Sequence, residues 1–205
     1  MAAPQVYNPS SWKQRVSIAV IAFGAMIVAL YLGFYQWGVI LQVWDPIFGD
    51  GTAKVLDSEL SHLFTSWIRI PDAVLGVFAY FSDALFALAG SERRWQDRPW
   101  LVIVFGIDVI PLGIVSVILV MLQGLAVKYW CTLCLFTAAI SISLIVLAYD
   151  EVLLSCLYLH EVKRMGGWKK AWWALWGYPC AEAIEAGEVA LKRRKGAKKD
   201  VGSDF

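Results

Sequence analysis

Apolar residues form four long runs along this chain, separated by polar and turn-forming segments. The runs cover roughly residues 15–37, 71–89, 100–122 and 130–148. Each is close to the length of about 20 residues that an α-helix needs to cross the hydrocarbon core of a bilayer. The pattern therefore predicts an all-α integral membrane protein, built as a bundle of four transmembrane helices.

The composition agrees with this class. Hydrophobic residues make up 59% of the 205 residues, and the mean hydropathy is +0.59. The first apolar run is long, follows Lys13 and Arg15, and lacks the small-residue pattern of a signal-peptide cleavage site. We therefore expect it to stay in the protein as a membrane anchor.

The segments outside the runs predict three parts of the chain. Residues 1–14 form an N-terminal segment, residues 15–150 the membrane domain, and residues 151–205 a C-terminal part. Within the membrane domain, the connection over residues 38–70 is long and rich in aromatic and aliphatic residues, which predicts an ordered cap lying over the bundle. In the C-terminal part, tryptophans interleaved with lysines predict amphipathic helices in the membrane interface, and a basic tail follows.

Basic residues are distributed unevenly between the two sides, although the formal net charge is only +1. The N-terminus, the second connection and the C-terminal part carry 15 of the 18 lysines and arginines, and the other two connections carry Lys54, Arg69 and Lys128. The positive-inside rule then predicts that both termini are cytoplasmic and that the cap faces outward. The basic tail suits anionic lipid head groups, and nothing in the sequence indicates a nucleic-acid partner.

The strongest chemical signal is a C-x-x-C motif, Cys131 and Cys134, where the fourth apolar run begins. Two thiols at this spacing at a helix start can form a reversible disulfide, and the predicted outward side is the oxidising one. Half of a zinc site and two inert, packed cysteines are the other interpretations, although no second C-x-x-C or histidine pair completes a zinc site. A c-type haem is excluded because Leu135 follows the motif. Cys156 and Cys180 fall on the predicted cytoplasmic side, where we expect free thiols.

Three acidic residues lie within the predicted helices, and two of them, Asp72 and Asp108, are candidates for a functional site. Asp72 follows Pro71 at the start of the second run, where a carboxylate is favoured by the helix dipole or lines a ligand pocket. Asp108 lies deep in the third run, and an ionisable residue at such a depth is a functional candidate by default. Its alternatives are a hydrogen bond to a neighbouring helix and a part in a proton relay.

Three sequence motifs, in this order, resemble the vitamin K epoxide reductase family. They are the run GTAKVLDS at residues 51–58, the run IPDAVLG at residues 70–76, and the run WCTLC at residues 130–134. The resemblance covers about residues 15–150 and implies four helices that enclose a quinone, ubiquinone or menaquinone, beside the C-x-x-C. It implies catalytic roles for Cys131 and Cys134, and quinone contacts for Ser58, Asp72, Leu75 and Tyr80. It also implies a bacterial inner membrane location and a thioredoxin-like extracytoplasmic partner.

The chain departs from the family pattern at two places. The two outer-loop cysteines that relay electrons in the family correspond to Asp45 and Thr52, seven positions apart as in bacterial members, and neither can form a disulfide. The family tyrosine that follows the second active-site cysteine by four positions is Ala138. An enzyme without the relay pair must receive electrons directly at Cys131 or Cys134, so we expect the cap to leave these two cysteines within reach of a partner protein.

Two functions of different classes follow from these observations. The first is a membrane thiol-disulfide oxidoreductase that couples the C-x-x-C disulfide to quinone reduction. The second is a catalytically degenerate accessory subunit of a larger membrane complex, kept for packing or for holding a quinone or lipid, because a fold does not determine its function. No metal site is expected in either case.

Overall fold

Helices are the regular secondary structure of the part that the computed structural model describes, residues 8–59, 61, 70–178 and 180–202, in which there is no β-strand. The cap predicted over residues 38–70 lies partly outside the described residues. The helices are α1 Trp12–Gln36, α2 Gly51–Leu56, α3 Asp72–Leu88, α4 Arg94–Asp97, α5 Pro99–Leu122, α6 Thr132–Leu175 and α7 Ala181–Gly202. A π-helical turn, Gln123–Val127, extends α5.

Three helices are long and apolar enough to cross a membrane. They are α1, α5 with its π-helical extension, and α6. Helix α3 matches the second predicted run and is apolar, but its 17 residues fall short of the usual spanning length of about 20. The helices thus support a membrane protein, and the crossing by α3 stays a prediction.

Helix α6 is much longer than the fourth apolar run, because it continues beyond residue 148 to Leu175. Leu154, Tyr158 and Val162 are buried at helical spacing in this extension, so one face stays apolar although the overall polarity rises. The helix is interrupted only at Gly167, whose φ of 79° lies in the left-handed region that favours glycine. The interfacial location predicted for the following tryptophans is not tested by this geometry.

The residues divide into two compact units. The first contains residues 8–16, 88–106 and 148–202. Its centre is a buried ion pair in which Arg94 donates to both carboxylate oxygens of Glu151, from Nε at 2.6 Å and from Nη2 at 2.7 Å. Ser10 Oγ donates to the same carboxylate at 2.5 Å. Beside it, Trp95 and Tyr158 meet edge to face, with ring centroids 6.0 Å apart.

Arg15 is also buried in this unit. Its Nη2 atom donates to the carbonyl oxygens of Leu88, Ala89 and Gly90, at 2.6, 2.8 and 3.0 Å. A cation is well placed there, because the last carbonyls of α3 have no partner within the helix. Arg15 and Arg94, which the charge count treated as marks of the cytoplasmic side, are therefore interior structural groups as well.

The second unit, residues 17–87 and 107–147, contains α3 and parts of α1, α5 and α6. Polar contacts join these helices inside an otherwise apolar interior. Gln36 Nε2 of α1 donates to the Asp72 carboxylate of α3. The Tyr80 hydroxyl of α3 lies 2.7 Å from Ser141 Oγ of α6. Hydrogen bonds of this kind between helices are expected where the surrounding side chains offer no other polar partner.

Candidate functional site

The C-x-x-C motif lies at the beginning of α6, with Cys131 immediately before the first helical residue, Thr132. Cys131 and Cys134 are paired, and their Cα atoms are 5.2 Å apart. The Cys134 amide donates to Cys131 Sγ at 3.0 Å. Cys131 is completely buried, whereas Cys134 is half-buried. The two other cysteines, Cys156 and Cys180, are free thiols.

A cavity of about 510 Å³ opens next to Cys134, and all of its described lining residues belong to the second unit. This volume is within the range of small-molecule sites, about 300–1,000 Å³. The cavity brings together the half-buried cysteine and all four residues for which the family resemblance implied quinone contacts, namely Cys134, Ser58, Asp72, Leu75 and Tyr80. Most of the remaining wall is aliphatic.

The Asp72 carboxylate is one of the polar groups that line this cavity. Its Oδ1 atom accepts hydrogen bonds from Gln36 Nε2, from Ser61 Oγ at 3.3 Å and from the Ala73 amide at 3.0 Å. The carboxylate is therefore held in one orientation by several donors. Ser58 Oγ donates to the Val55 carbonyl at 2.6 Å. That bond leaves the oxygen lone pairs of Ser58 available as acceptors.

Tyr80 brings a phenolic hydroxyl to the turn of α6 that carries Ala138, the position where the family has a tyrosine. The Tyr80 hydroxyl donates to the Thr137 carbonyl at 3.2 Å and is 2.7 Å from Ser141 Oγ. Tyr80 lines the cavity although only 3% of the residue is exposed. The Tyr80 hydroxyl, from α3, thus reaches the turn of α6 in which Ala138 stands in place of the family tyrosine.

Polar residues other than the four implied quinone contacts also line the cavity, among them Asp108, the functional candidate of the third run. Asp108 lines the cavity and accepts a hydrogen bond from Ser82 of α3, which agrees with the helix-to-helix alternative for this residue. The others are Gln123, Ser116, Ser61 and Thr137. Their only sequence signal is a polar side chain within or beside an apolar run, and that signal does not say which way the side chain faces.

The two positions that correspond to the family's relay cysteines are in direct contact. Thr52 Oγ1 donates to Asp45 Oδ2 at 2.5 Å. The same carboxylate accepts from the Thr132 amide at 3.1 Å and from the Thr132 hydroxyl at 2.5 Å. The backbone amides of Ile47 and Phe48 add two further bonds, at 2.9 and 2.8 Å. A hydrogen-bonded cluster, here called the Asp45 cluster and consisting of Asp45, Thr52 and Thr132, thus replaces the missing disulfide.

These bonds determine the protonation state of Asp45. Burial by itself raises the pKa of this carboxyl, but the hydrogen bonds from Thr132, Thr52 and the two loop amides outweigh burial and hold the pKa below its ordinary value. Hydrogen bonds to the ionised form favour that form, so Asp45 carries a negative charge at neutral pH.

The cap covers Cys131, contrary to the expectation that a partner protein could reach this cysteine directly. At Gly51, the first residue of α2, a Cβ atom would lie 2.2 Å from the Trp130 carbonyl oxygen. Gln123 is also buried next to Cys131, and its Oε1 atom accepts a hydrogen bond from the Cys131 amide at 3.4 Å. Because Gly51 has no side chain, the cap can approach the Trp130 carbonyl next to Cys131. This close approach accounts for the difference between the expected and the observed access to Cys131.

We expect the substitution Gly51→Ala to increase the rate at which a small maleimide modifies the reduced Cys131–Cys134 pair. The added Cβ atom cannot occupy its place beside the Trp130 carbonyl unless the cap moves, and overpacking of this kind typically costs about 1–3 kcal/mol. The control is Gly24→Ala, where a Cβ atom would meet nothing within 4 Å. Equal modification rates in Gly51→Ala and the wild type would contradict this account of the cap.

Among the described residues, no group of three or more histidine, cysteine or acidic side chains is arranged to hold a metal ion. The sequence model of the vitamin K epoxide reductase family matches residues 16–149. The chain belongs to the vitamin K epoxide reductase family. Family membership supports a membrane oxidoreductase in general and an association with quinones.

No curated protein and no solved structure matches the chain. The matched range of the vitamin K epoxide reductase family includes both members of the C-x-x-C motif and all four candidate quinone contacts. It ends in the middle of α6, so the second half of that helix and α7 lie outside the family match.

Proposed function

We propose that this protein is a quinone-dependent thiol-disulfide oxidoreductase whose redox-active disulfide joins Cys131 and Cys134. The observation that carries the proposal is the cavity, because one member of the pair and the four candidate contacts line the same apolar space. A quinone ring there would lie beside Cys134, the member of the pair that is open to the cavity. Cys131 then serves as the cysteine that the reducing partner attacks, and because Cys131 is completely buried, the cap has to move before the partner reaches it.

The proposed reaction has two halves. A reduced thioredoxin-like partner attacks the Cys131–Cys134 disulfide through a mixed disulfide, and a second partner thiol resolves it, which leaves the two cysteines as a dithiol. The dithiol then gives two electrons and two protons to the quinone, which becomes a hydroquinone, and the disulfide is restored. In this half, the Ser58 or Tyr80 hydroxyl turns its hydrogen from the Val55 or Thr137 carbonyl to a carbonyl of the quinone, or a protonated Asp72 carboxyl donates there instead.

We further propose the arrangement in the membrane. Helix α3 joins the three longer helices as a fourth span, both termini are cytoplasmic, and the cap faces the extracytoplasmic side of a bacterial inner membrane. The charge distribution of the sequence supports this orientation. It places Cys131 and Cys134 in the compartment where disulfide chemistry operates.

The second candidate function is a catalytically degenerate accessory subunit of a larger membrane complex. Two observations favour it. The relay positions hold the Asp45–Thr52 hydrogen bond rather than a disulfide, and Cys131 is completely buried. A bundle with these features is able to hold a quinone or lipid and to pack against other subunits without turning over.

Restoring the relay pair tests the oxidoreductase. Thr52 Oγ1 and Asp45 Oδ2 are in contact, so we expect the double substitution Asp45→Cys with Thr52→Cys to form a disulfide there and to accelerate quinone-dependent oxidation of a dithiol protein several-fold. The measurement is the loss of quinone absorbance with ubiquinone and menaquinone analogues. The single substitutions Asp45→Cys and Thr52→Cys are the matched controls, because neither supplies a pair. If the wild type and the double variant both fail to reduce any of these quinones, the accessory subunit is the better explanation.

A further inference from the structure

The Asp45 cluster places a carboxylate at the end of α6 where the redox-active pair lies. Asp45 Oδ2 accepts the amide of Thr132, the residue that follows Cys131 and opens the helix. Asp45 is largely buried, with 7% of its surface exposed. Its five hydrogen bonds fix the position of the charge.

The first turn of a helix ordinarily favours a cysteine thiolate. Unpaired amides and the helix dipole stabilise negative charge there, which lowers the thiol pKa of C-x-x-C motifs. One contact in this protein favours the Cys131 thiolate in the same way, because the Cys134 amide donates a hydrogen bond to Cys131 Sγ at 3.0 Å. Asp45 acts against it, because its carboxylate already accepts the Thr132 amide and adds a like charge.

We propose that Asp45 is a positioning residue of the Cys131–Cys134 pair, one that disfavours the Cys131 thiolate and keeps the reduced pair in its dithiol form. This inference rests on the proposed function, in which the pair alternates between disulfide and dithiol. A protonated pair holds both hydrogens that a quinone needs. Oxidation of the pair forms the S–S bond, breaks the two S–H bonds and transfers two electrons and two protons to the quinone.

Four other charged residues belong to the cap, to the segment before α6 or to the cavity wall. Lys54 of α2 lies over the ring of Tyr129, with Nζ 4.4 Å from the ring centroid. Lys128 precedes that tyrosine and Asp50 precedes α2. Asp72 of α3 is held by its own donors at the cavity. Among these, Asp45 is the charged group that is bonded directly to the residue next to Cys131.

The test compares the reduction potential of the pair in the full-length wild type and in Asp45→Asn, both carrying Cys156→Ala and Cys180→Ala. The proteins are equilibrated with mixtures of reduced and oxidised dithiothreitol, quenched in acid, and scored by the mobility shift of a maleimide polymer. We expect Asp45→Asn to lower the pKa of the more acidic thiol by about one unit. The equilibrium should then shift toward the reduced pair as pH rises, approaching tenfold, about 30 mV, above both thiol pKa values.

Three further variants show whether the change in potential is due to the charge of Asp45. Asp45→Glu retains the charge and should keep a potential closer to that of the wild type than Asp45→Asn does. Asp50→Asn removes an exposed charge from the same loop and should change nothing, since the Asp50 side chain makes no capping bond to α2. Thr52→Val removes a bond to Asp45 but no charge, and it should leave the pH dependence of the potential as in the wild type.

The inference is overturned if Asp45→Asn has the wild-type potential at every pH, or if it differs by a constant offset that does not grow with pH. A constant offset indicates that Asp45 only supports the cap. The measurement needs no quinone, so its failure is distinguishable from that of the oxidoreductase proposal. If wild-type protein reduces quinones while Asp45→Asn leaves the potential unchanged, only the role of Asp45 is wrong.

Discussion

Replacing both Cys131 and Cys134 with alanine is expected to abolish quinone-dependent oxidation of a dithiol substrate. These cysteines are the only pair within bonding distance in the described part of the chain, and Asp45 and Thr52 cannot carry electrons in their place. The loss should reach the detection limit, at least about a thousandfold, because thiol-disulfide exchange has no route without a sulfur nucleophile. The measurement is quinone reduction by the purified protein with a thioredoxin-like dithiol.

The matched control is Cys156→Ala with Cys180→Ala, which removes two free thiols and should leave the rate unchanged. Thermal unfolding in detergent shows whether the Cys131→Ala, Cys134→Ala variant retains its fold. Residual activity in that variant would contradict the proposed redox pair. If the wild type is inactive as well, and the alanine variant still assembles with its neighbouring membrane subunits, the accessory function is supported instead.

The second large effect concerns stability. We expect Arg94→Met to destabilise the first unit by about 3–5 kcal/mol, the usual cost of breaking a buried ion pair from one side. The substitution leaves the Glu151 carboxylate, of which 1% is exposed, without its two bonds from the guanidinium. Ser10 alone cannot replace them, since it donates a single hydrogen bond. The measurement is the melting temperature of the purified protein in detergent.

The matched control is Lys170→Met. Lys170 also pairs with a glutamate, Glu182, but 47% of the lysine side chain and 25% of the glutamate side chain are exposed. Breaking such a pair changes stability by about 0–1 kcal/mol, because water already screens both charges. The double variant Arg94→Met with Glu151→Leu should regain much of the lost stability, since neither charge is then buried alone. Equal melting temperatures for Arg94→Met and Lys170→Met would contradict the structural role of the buried pair.

The positions of the helices were largely predictable from the sequence, and so was the position of the C-x-x-C motif at the beginning of α6. A run of apolar residues specifies a helix and its approximate ends by itself, because backbone hydrogen bonding and burial in an apolar medium act over neighbouring residues. Helices α1, α3 and α5 therefore match the apolar runs within a few residues. Helix α6 does not end with its run, because its polar extension buries one face within the first unit.

The family motifs also identified residues that prove to be neighbours. Ser58, Asp72, Leu75, Tyr80 and Cys134 come from separate parts of the chain, and they line one cavity. No periodicity in the sequence brings them together. Their common location was implied by the order of the motifs in a known family, and their roles in binding a quinone stay predictions.

Tertiary structure alone decided what surrounds Cys131 and Cys134 and which partners the buried charges have. Asp45 and Thr132 are 87 positions apart, and Arg94 and Glu151 are 57 apart. Whether such residues meet depends on how the helices and the cap pack, and a sequence records only that each is polar. Cys131 is buried, and Gly51 of the cap lies against the neighbouring Trp130 carbonyl, which is likewise a contact between distant parts of the chain. Local sequence thus determined the helices and the C-x-x-C, whereas long-range packing determined the charge next to the C-x-x-C and access to it.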